Sequence, residues 1–124
     1  MTAEDALLFF LRRALGEKRE RLCGFASRPK ARHKFFDTLY HGFYAYVSSS
    51  VVRERLPEVA WSSPSYGFVT PDRFGVPFES LRKAYEARPL NEGALYVTED
   101  GEYGVWCDHT YGDVQAFYAV RRER

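Results

Sequence analysis

The chain has 124 residues, a length typical of one domain, and we treat residues 1–124 as a single unit. A hydrophobic fraction of 45% and a charged fraction of 28% are ordinary for a folded globular protein, and they exclude a chain that is disordered throughout. The formal net charge is +1, and the pI of about 7.8 is below the value above about 9 that is typical of dedicated nucleic-acid-binding domains.

The sequence predicts a cytoplasmic protein without membrane association. No run of residues approaches the roughly 18 apolar residues of a membrane span. The first residues, MTAED, are acidic where a signal peptide carries basic residues. Cys23 and Cys107 are too few for a disulfide framework, so we expect two free thiols.

The first predicted element is a helix that begins after Thr2. Glu4 and Asp5 follow in the first turn, where acidic residues stabilise the positive end of the helix dipole. Glu17 and Arg21 form an i,i+4 pair, which favours continuation to about Arg21 in spite of Gly16. Its apolar residues recur at helical spacing: Leu7, Leu8, Leu11, Ala14, Leu15 and Leu22.

A second helix is predicted to begin at Ser27 as N-cap, with Pro29 in the first turn. Its apolar stripe contains Phe35, Phe36, Leu39 and Phe43. Gly42 is a candidate end, and residues 43–47 fit either more helix or a strand. The two helices together predict an antiparallel helical hairpin.

The middle of the chain predicts short elements. Residues 51–56 fit a short helix that Pro57 ends, and residues 66–70 alternate as a strand does. Pro77 is a candidate first residue of a helix to about Ala87.

The last third predicts a β-hairpin. Residues 94–98 and 103–107 are rich in β-formers and flank Asp100-Gly101, a strong hairpin-turn signal. With these two residues as the loop, Leu95 pairs with Trp106 and Tyr96 with Val105. A further strand is predicted over residues 114–120. The predicted fold is α+β, with an N-terminal helical hairpin and short helices packed on one face of a three- to four-stranded, mainly antiparallel sheet.

Aromatic residues supply the first functional hypothesis. They make up 17% of the chain, more than a core of this size encloses comfortably, since each ring buries about 150–250 Å². A sheet covered by helices on one face would expose an apolar patch on the other. We therefore favour a non-catalytic module that binds another protein or self-associates. Its expected binding residues are Tyr96, Tyr103, Trp106 and Tyr111.

Charge supplies the second hypothesis. Nine basic residues lie between Arg12 and Lys34 against only Glu17 and Glu20, whereas residues 89–120 contain no Lys or Arg. A basic stretch at a helix N-terminus is suited to phosphate groups, so nucleic acid or an anionic ligand is the alternative partner. The absence of a known nucleic-acid-binding motif and the moderate pI favour a solvated basic face without a ligand over this alternative. The expected anion-binding residues are Arg28, Lys30, Arg32 and Lys34.

Catalysis is the third hypothesis, and it depends on Cys107, Asp108 and His109. A thiol, a carboxylate and an imidazole can form a nucleophilic site. Neighbouring strand residues point to opposite sides, however, and Cys107 shares a predicted face with Tyr96 and Val105, which favours a core position. No zinc-ligand spacing and no glycine-rich phosphate loop is present. We therefore expect no metal and no cofactor, and we lean against an enzyme.

Overall fold

The computed structural model describes residues 1–15, 19–46, 51–52, 55–89, 92–107 and 115–120. For residues 40–46, 51–52 and 115–120 this description covers the backbone alone. The elements in chain order are α1 (Ala3–Ala14), α2 (Arg19–Ser27), a 3₁₀ helix (Pro29–Ala31), α3 (Arg32–Tyr46), β1 (Val51–Val52), α4 (Glu58–Trp61), β2 (Ser65–Phe68), β3 (Phe74–Phe78), α5 (Leu81–Glu86), β4 (Ala94–Thr98), β5 (Tyr103–Cys107) and β6 (Gln115–Val120).

The strands form one antiparallel sheet in the order β1-β6-β5-β4-β2-β3. Helices come first and most of the sheet follows, so the predicted α+β class is confirmed. The sheet is larger than the predicted three or four strands because β1 and the last two residues of β3 were assigned to helices and the rest of β3 was not predicted as a strand. Within the described helices, none is long and apolar enough to cross a membrane.

The hairpin of β4 and β5 has the predicted register, with Leu95 opposite Trp106 and Tyr96 opposite Val105. Gly101 has a φ of 74°, and its N–H donates to the Thr98 carbonyl at 2.8 Å. This left-handed conformation favours glycine, as the Asp-Gly signal indicates. The loop covers residues 99–102, however, and its turn is centred on Glu99 and Asp100, so the prediction of a two-residue Asp100-Gly101 loop is wrong.

Helices cover both faces of the sheet at β4 and β5, whose side chains are described. One face packs against α1, α2 and α3, and it includes Leu95, Val97 and Trp106. The opposite face packs against α4 and α5, and it includes Tyr96, Val105 and Cys107. The prediction that helices cover one face alone is therefore wrong. Residues of β4 and β5 alternate between two cores because successive side chains on a strand point to opposite sides.

Helix α1 approaches the sheet closely at glycine residues. A methyl group added at Gly104 would lie 2.6 Å from Cε2 and 2.9 Å from Cε1 of Phe10, whose side chain is fully buried. A methyl group at Gly101 would lie 2.8 Å from the Ala6 carbonyl oxygen. The absence of a side chain at these two positions lets α1 lie against the hairpin.

The ends of the helices differ from the prediction in three places. Helix α1 ends at Ala14 because Leu15 is extended (φ −94°, ψ 141°), so continuation to Arg21 is wrong. Ser27 is the last residue of α2 and its hydroxyl donates to the Cys23 carbonyl at 2.7 Å, so it is not an N-cap. Helix α3 continues past Gly42 to Tyr46, which settles residues 43–46 as helical; Val47 lies outside the described residues.

The middle of the chain also contains two corrections. Val51–Val52 pairs with β6, and helix α4 begins only after Pro57, so the helix predicted over residues 51–56 is wrong. Pro77 lies in β3 and does not begin a helix. As β3 is an edge strand, the missing N–H of proline is tolerated there. The following helix begins after Ser80, whose hydroxyl accepts a hydrogen bond from the Lys83 N–H at 3.1 Å.

The first prediction concerns the contact between α1 and β5. We expect Gly104→Ala to lower the free energy of unfolding by about 1–3 kcal/mol, because the new methyl group overlaps the buried ring of Phe10. Urea titration followed by circular dichroism measures this change.

The matched control is Gly24→Ala in α2, where the nearest atom is Arg28 Nη2 at 3.9 Å. That change should be neutral or stabilise by up to about 1 kcal/mol, since alanine favours a helix. Equal stability of the two variants would contradict the close approach.

Candidate anion-binding surface

Three cationic side chains converge on one part of the helical layer. Arg21, Phe25 and Arg28 are spaced i, i+4 and i+7, so they share one face of α2 and its end. Lys34 reaches the same place from α3. We call Arg21, Arg28 and Lys34, with the ring of Phe25 beneath them, the basic surface. All three cations are exposed.

Phe25 holds two of these cations in place. The Arg21 guanidinium carbon lies 5.5 Å from the centroid of the Phe25 ring, and Lys34 Nζ lies 5.9 Å from it. Cations at this distance from an aromatic face are attracted by the ring quadrupole, typically by about 0.5–1 kcal/mol at exposed sites. Two helices therefore direct positive charge to a single ring.

Arg28 joins them by folding back along α2. Its Nε donates to the Gly24 carbonyl at 3.1 Å, which places the guanidinium beside the residue that precedes Phe25. An arginine has five N–H donors in a planar fork, so one bond to the helix leaves others for a ligand. Arg21 extends towards the C-terminal end of α2 to Phe25, and Arg28 folds back to the preceding residue, Gly24.

No carboxylate neutralises the basic surface within the described residues. Ion pairs there join Arg19 to Glu20, Arg32 to Glu4, Arg73 to Glu92, Arg82 to Glu58 and Lys83 to Glu79, and none of them involves Arg21, Arg28 or Lys34. Like charges held close together repel one another, and an anion removes that repulsion.

The structure separates the four predicted anion-binding residues into two groups. Arg28 and Lys34 belong to the basic surface, and Lys30 is exposed on the neighbouring 3₁₀ helix. Arg32 is different, because its side chain is only 18% exposed.

Arg32 instead connects three elements of the fold. Its guanidinium carbon lies 3.9 Å from the ring centroid of Phe74 in β3, and its Nε donates to the Ala26 carbonyl at 3.1 Å. Its Nη2 lies 3.8 Å from a carboxylate oxygen of Glu4 in α1. These contacts assign Arg32 to the framework of the fold.

Sequence reasoning missed Arg21 and Phe25 as site residues. Their i,i+4 spacing was available, but the first helix was predicted to end at about Arg21 and the second to begin at Ser27, so Phe25 was left in the connection and the separate α2 was missed. The contribution of Lys34 to the same ring comes from another helix, and no local pattern predicts it.

The predicted aromatic binding residues lie largely inside the protein. Trp106 and Tyr96 are each 1% exposed, one in each core. Tyr103 is partly exposed and packs against the core that contains Tyr96. Tyr111 lies outside the described residues. The rings of Trp106 and Tyr96 stabilise the two cores, so the helical layers would have to move before either could contact a partner.

The environment of Cys107 does not favour nucleophilic chemistry. The residue is 3% exposed, and burial raises the pKa of its thiol to about 12, although the Arg88 guanidinium partly opposes this. The thiolate is the reactive form, and very little of it exists at neutral pH with such a pKa. Asp108 and His109 lie outside the described residues. Among the residues that are described, no group of three or more His, Cys, Asp or Glu is placed to hold a metal ion.

Comparison with known proteins finds no match to this chain among protein-family models, curated proteins or solved structures. Functional inference therefore rests on the residues themselves.

The second prediction is that neither cysteine reacts readily in the folded protein. Burial raises the pKa of Cys23 as well as that of Cys107, so at about pH 8 both thiols should be protonated and shielded. We expect iodoacetamide to label them more than about a hundredfold more slowly in native protein than in denaturant. Peptide mass spectrometry measures each site separately. Rapid native labelling of Cys107 would contradict its burial and would restore the catalytic hypothesis.

The third prediction is a pH dependence of stability. The folded protein retains the Cys107 proton up to about pH 12, whereas an ordinary thiol loses it near pH 9.0. The stabilising contribution is therefore complete below about pH 9 and is lost as the pH rises towards 12. We expect the free energy of unfolding of Cys107→Ala to fall less steeply over this range than that of the unchanged protein. Parallel slopes in urea titrations at several pH values would contradict the prediction.

Proposed function

We propose that this protein binds nucleic acid through the basic surface. The observation that carries the proposal is that Arg21 and Lys34 lie over the Phe25 ring and Arg28 is bonded to the adjacent Gly24, while no ion pair among the described residues neutralises them. Phosphate groups are the partners that such a set of cations attracts most strongly, because each contact releases counterions from the nucleic acid.

The net charge of +1 does not oppose this function, because the charge is distributed unevenly. Residues 19–38 contain six Arg or Lys and only two acidic residues, Glu20 and Asp37. The acidic residues of the chain concentrate elsewhere, including Glu99, Asp100 and Glu102 near the hairpin turn. A ligand close to α2 therefore meets a field that is more positive than the whole-protein charge suggests.

The protein-interaction hypothesis has lost its main support. It required an uncovered sheet face, whereas α4 and α5 cover the face that contains Tyr96 and Val105. Among described residues, the large hydrophobic side chains that are exposed are Met1, Val59 and Val76, which belong to three separate parts of the chain. Apolar residues exposed singly are normal on a protein surface and do not indicate an interface.

The fourth prediction tests the basic surface by removing its charge. We expect Arg21→Gln/Lys34→Gln to weaken binding of a labelled DNA duplex by about tenfold or more at low salt. The slope of the logarithm of affinity against the logarithm of salt concentration should fall by about two, because the variant no longer neutralises two of the phosphates. Fluorescence anisotropy at several salt concentrations measures both quantities.

A matched control removes the same charge from α5. Arg82→Gln/Lys83→Gln also deletes two cations, but these are already paired with Glu58 and Glu79. This control should retain most of the affinity and the salt slope. Circular dichroism and urea titration should show that both double variants remain folded. Absence of binding to both duplex and single-stranded DNA at low salt, or equal reductions in affinity in both variants, would refute the proposed function.

A further inference from the structure

We infer that the nucleic acid is a duplex, held by its phosphate backbone alone and without recognition of base sequence. This inference rests on the proposed function and specifies its ligand. It follows from what the surface of residues 19–39 contains and from what it lacks, and the side chains of all these residues are described.

The first argument is that residues 19–39 offer no exposed Phe, Tyr or Trp ring on which a base can stack; the exposed ring in this range is that of His33. Proteins that bind single strands combine cations with exposed aromatic side chains, each worth about 1–3 kcal/mol for a stacked base. The Phe, Tyr and Trp residues of the range 19–39 are Phe25, Phe35 and Phe36, and all three are buried. Phe25 is 8% exposed, and Arg21 and Lys34 already lie over its ring.

The second argument is that the neutral polar groups needed to read base edges are occupied or missing. Residues 19–39 contain no Asn or Gln, the residues that recognise adenine through paired hydrogen bonds. The hydroxyl of Ser27 donates to the Cys23 carbonyl at 2.7 Å, and that of Thr38 donates to the Lys34 carbonyl at 2.8 Å. Both hydroxyls are thus directed to their own helices.

The third argument concerns the charged groups, which are held against the helices. The Arg28 guanidinium is bonded to the Gly24 carbonyl, and Arg21 lies over Phe25. Arginine recognises guanine with an extended side chain whose guanidinium enters the major groove. Neither Arg21 nor Arg28 has this extended conformation. Side chains folded onto the protein surface are suited to phosphates, which line the outside of a duplex.

Charge density then favours a duplex over a single strand. A DNA duplex carries one negative charge per about 1.7 Å of helix axis, counting both strands. Each phosphate contact contributes about 0.9 to the salt slope for duplex DNA and about 0.7 for a single strand. A surface that relies on charge and lacks stacking therefore gains more from the duplex.

The experiment compares four fluorescent DNA probes of one length, about 20 nucleotides per strand, so that each probe is longer than the basic surface. Two are duplexes, one rich in A·T and one rich in G·C pairs. The other two are an oligothymidine strand and a mixed-sequence strand. We expect the duplexes to bind within about twofold of each other and about tenfold more tightly than either strand. We expect Arg21→Lys, which retains the charge, to keep nearly all the duplex affinity, whereas Arg21→Gln loses part of it on every probe.

Each outcome bears on one of the two proposals. Preference for one duplex sequence, or single-strand binding as tight as duplex binding, overturns this inference and leaves nucleic-acid binding standing. A drop of affinity in Arg21→Lys on one duplex sequence and not on the other overturns it too, because such a loss shows that the guanidinium reads base edges. Failure of all four probes to bind at low salt overturns the proposed function itself.

Discussion

The contact between α1 and the β4–β5 hairpin determines how the helical layer lies on the sheet. Phe10 occupies the space that a side chain at Gly104 would fill, and the Ala6 carbonyl lies beside Gly101. Because α1 lies this close to the sheet, Trp106 is enclosed between the sheet and the helices, and α2 and α3 pack in the same layer as α1. Arg32 then connects the start of α3 to α1 and β3. The position of the basic surface therefore depends on two glycines of the hairpin.

Coverage of both faces of β4 and β5 accounts for many of the aromatic side chains that the structure describes. One core contains Phe10, Phe35 and Trp106, and the other contains Tyr96 with the rings of Phe78 and Trp61 packed against it. Several rings meet edge to face, as Phe78 and Tyr96 do at 5.9 Å between centroids. The two cores lie on opposite faces of the sheet and are packed separately. Each of them therefore needs its own set of large side chains. The aromatic surplus is consequently a property of the layered architecture.

The basic surface shows how a single buried ring can organise charge. Phe25 packs into the core with most of its area and leaves a small face that attracts Arg21 and Lys34. Their attraction to the ring offsets part of the repulsion between the cations. Arg28 is fixed separately by the Gly24 carbonyl. Because the cations are ordered before any ligand arrives, less side-chain entropy is lost on binding than with free surface lysines.

The sequence by itself determined the features that neighbouring residues control. The Asp100-Gly101 signal predicted the hairpin and its register, although the loop extends over residues 99–102, because a short turn depends on the backbone conformation of neighbouring residues. The helix start at Thr2 likewise depends on reciprocal bonds with Asp5. Tertiary structure decided that Pro77 lies on an edge strand, that α4 and α5 cover the second face, and that Lys34 meets Arg21. These features join residues far apart in the chain or in different elements, so their energies arise only once the layers have packed, and no local pattern encodes them.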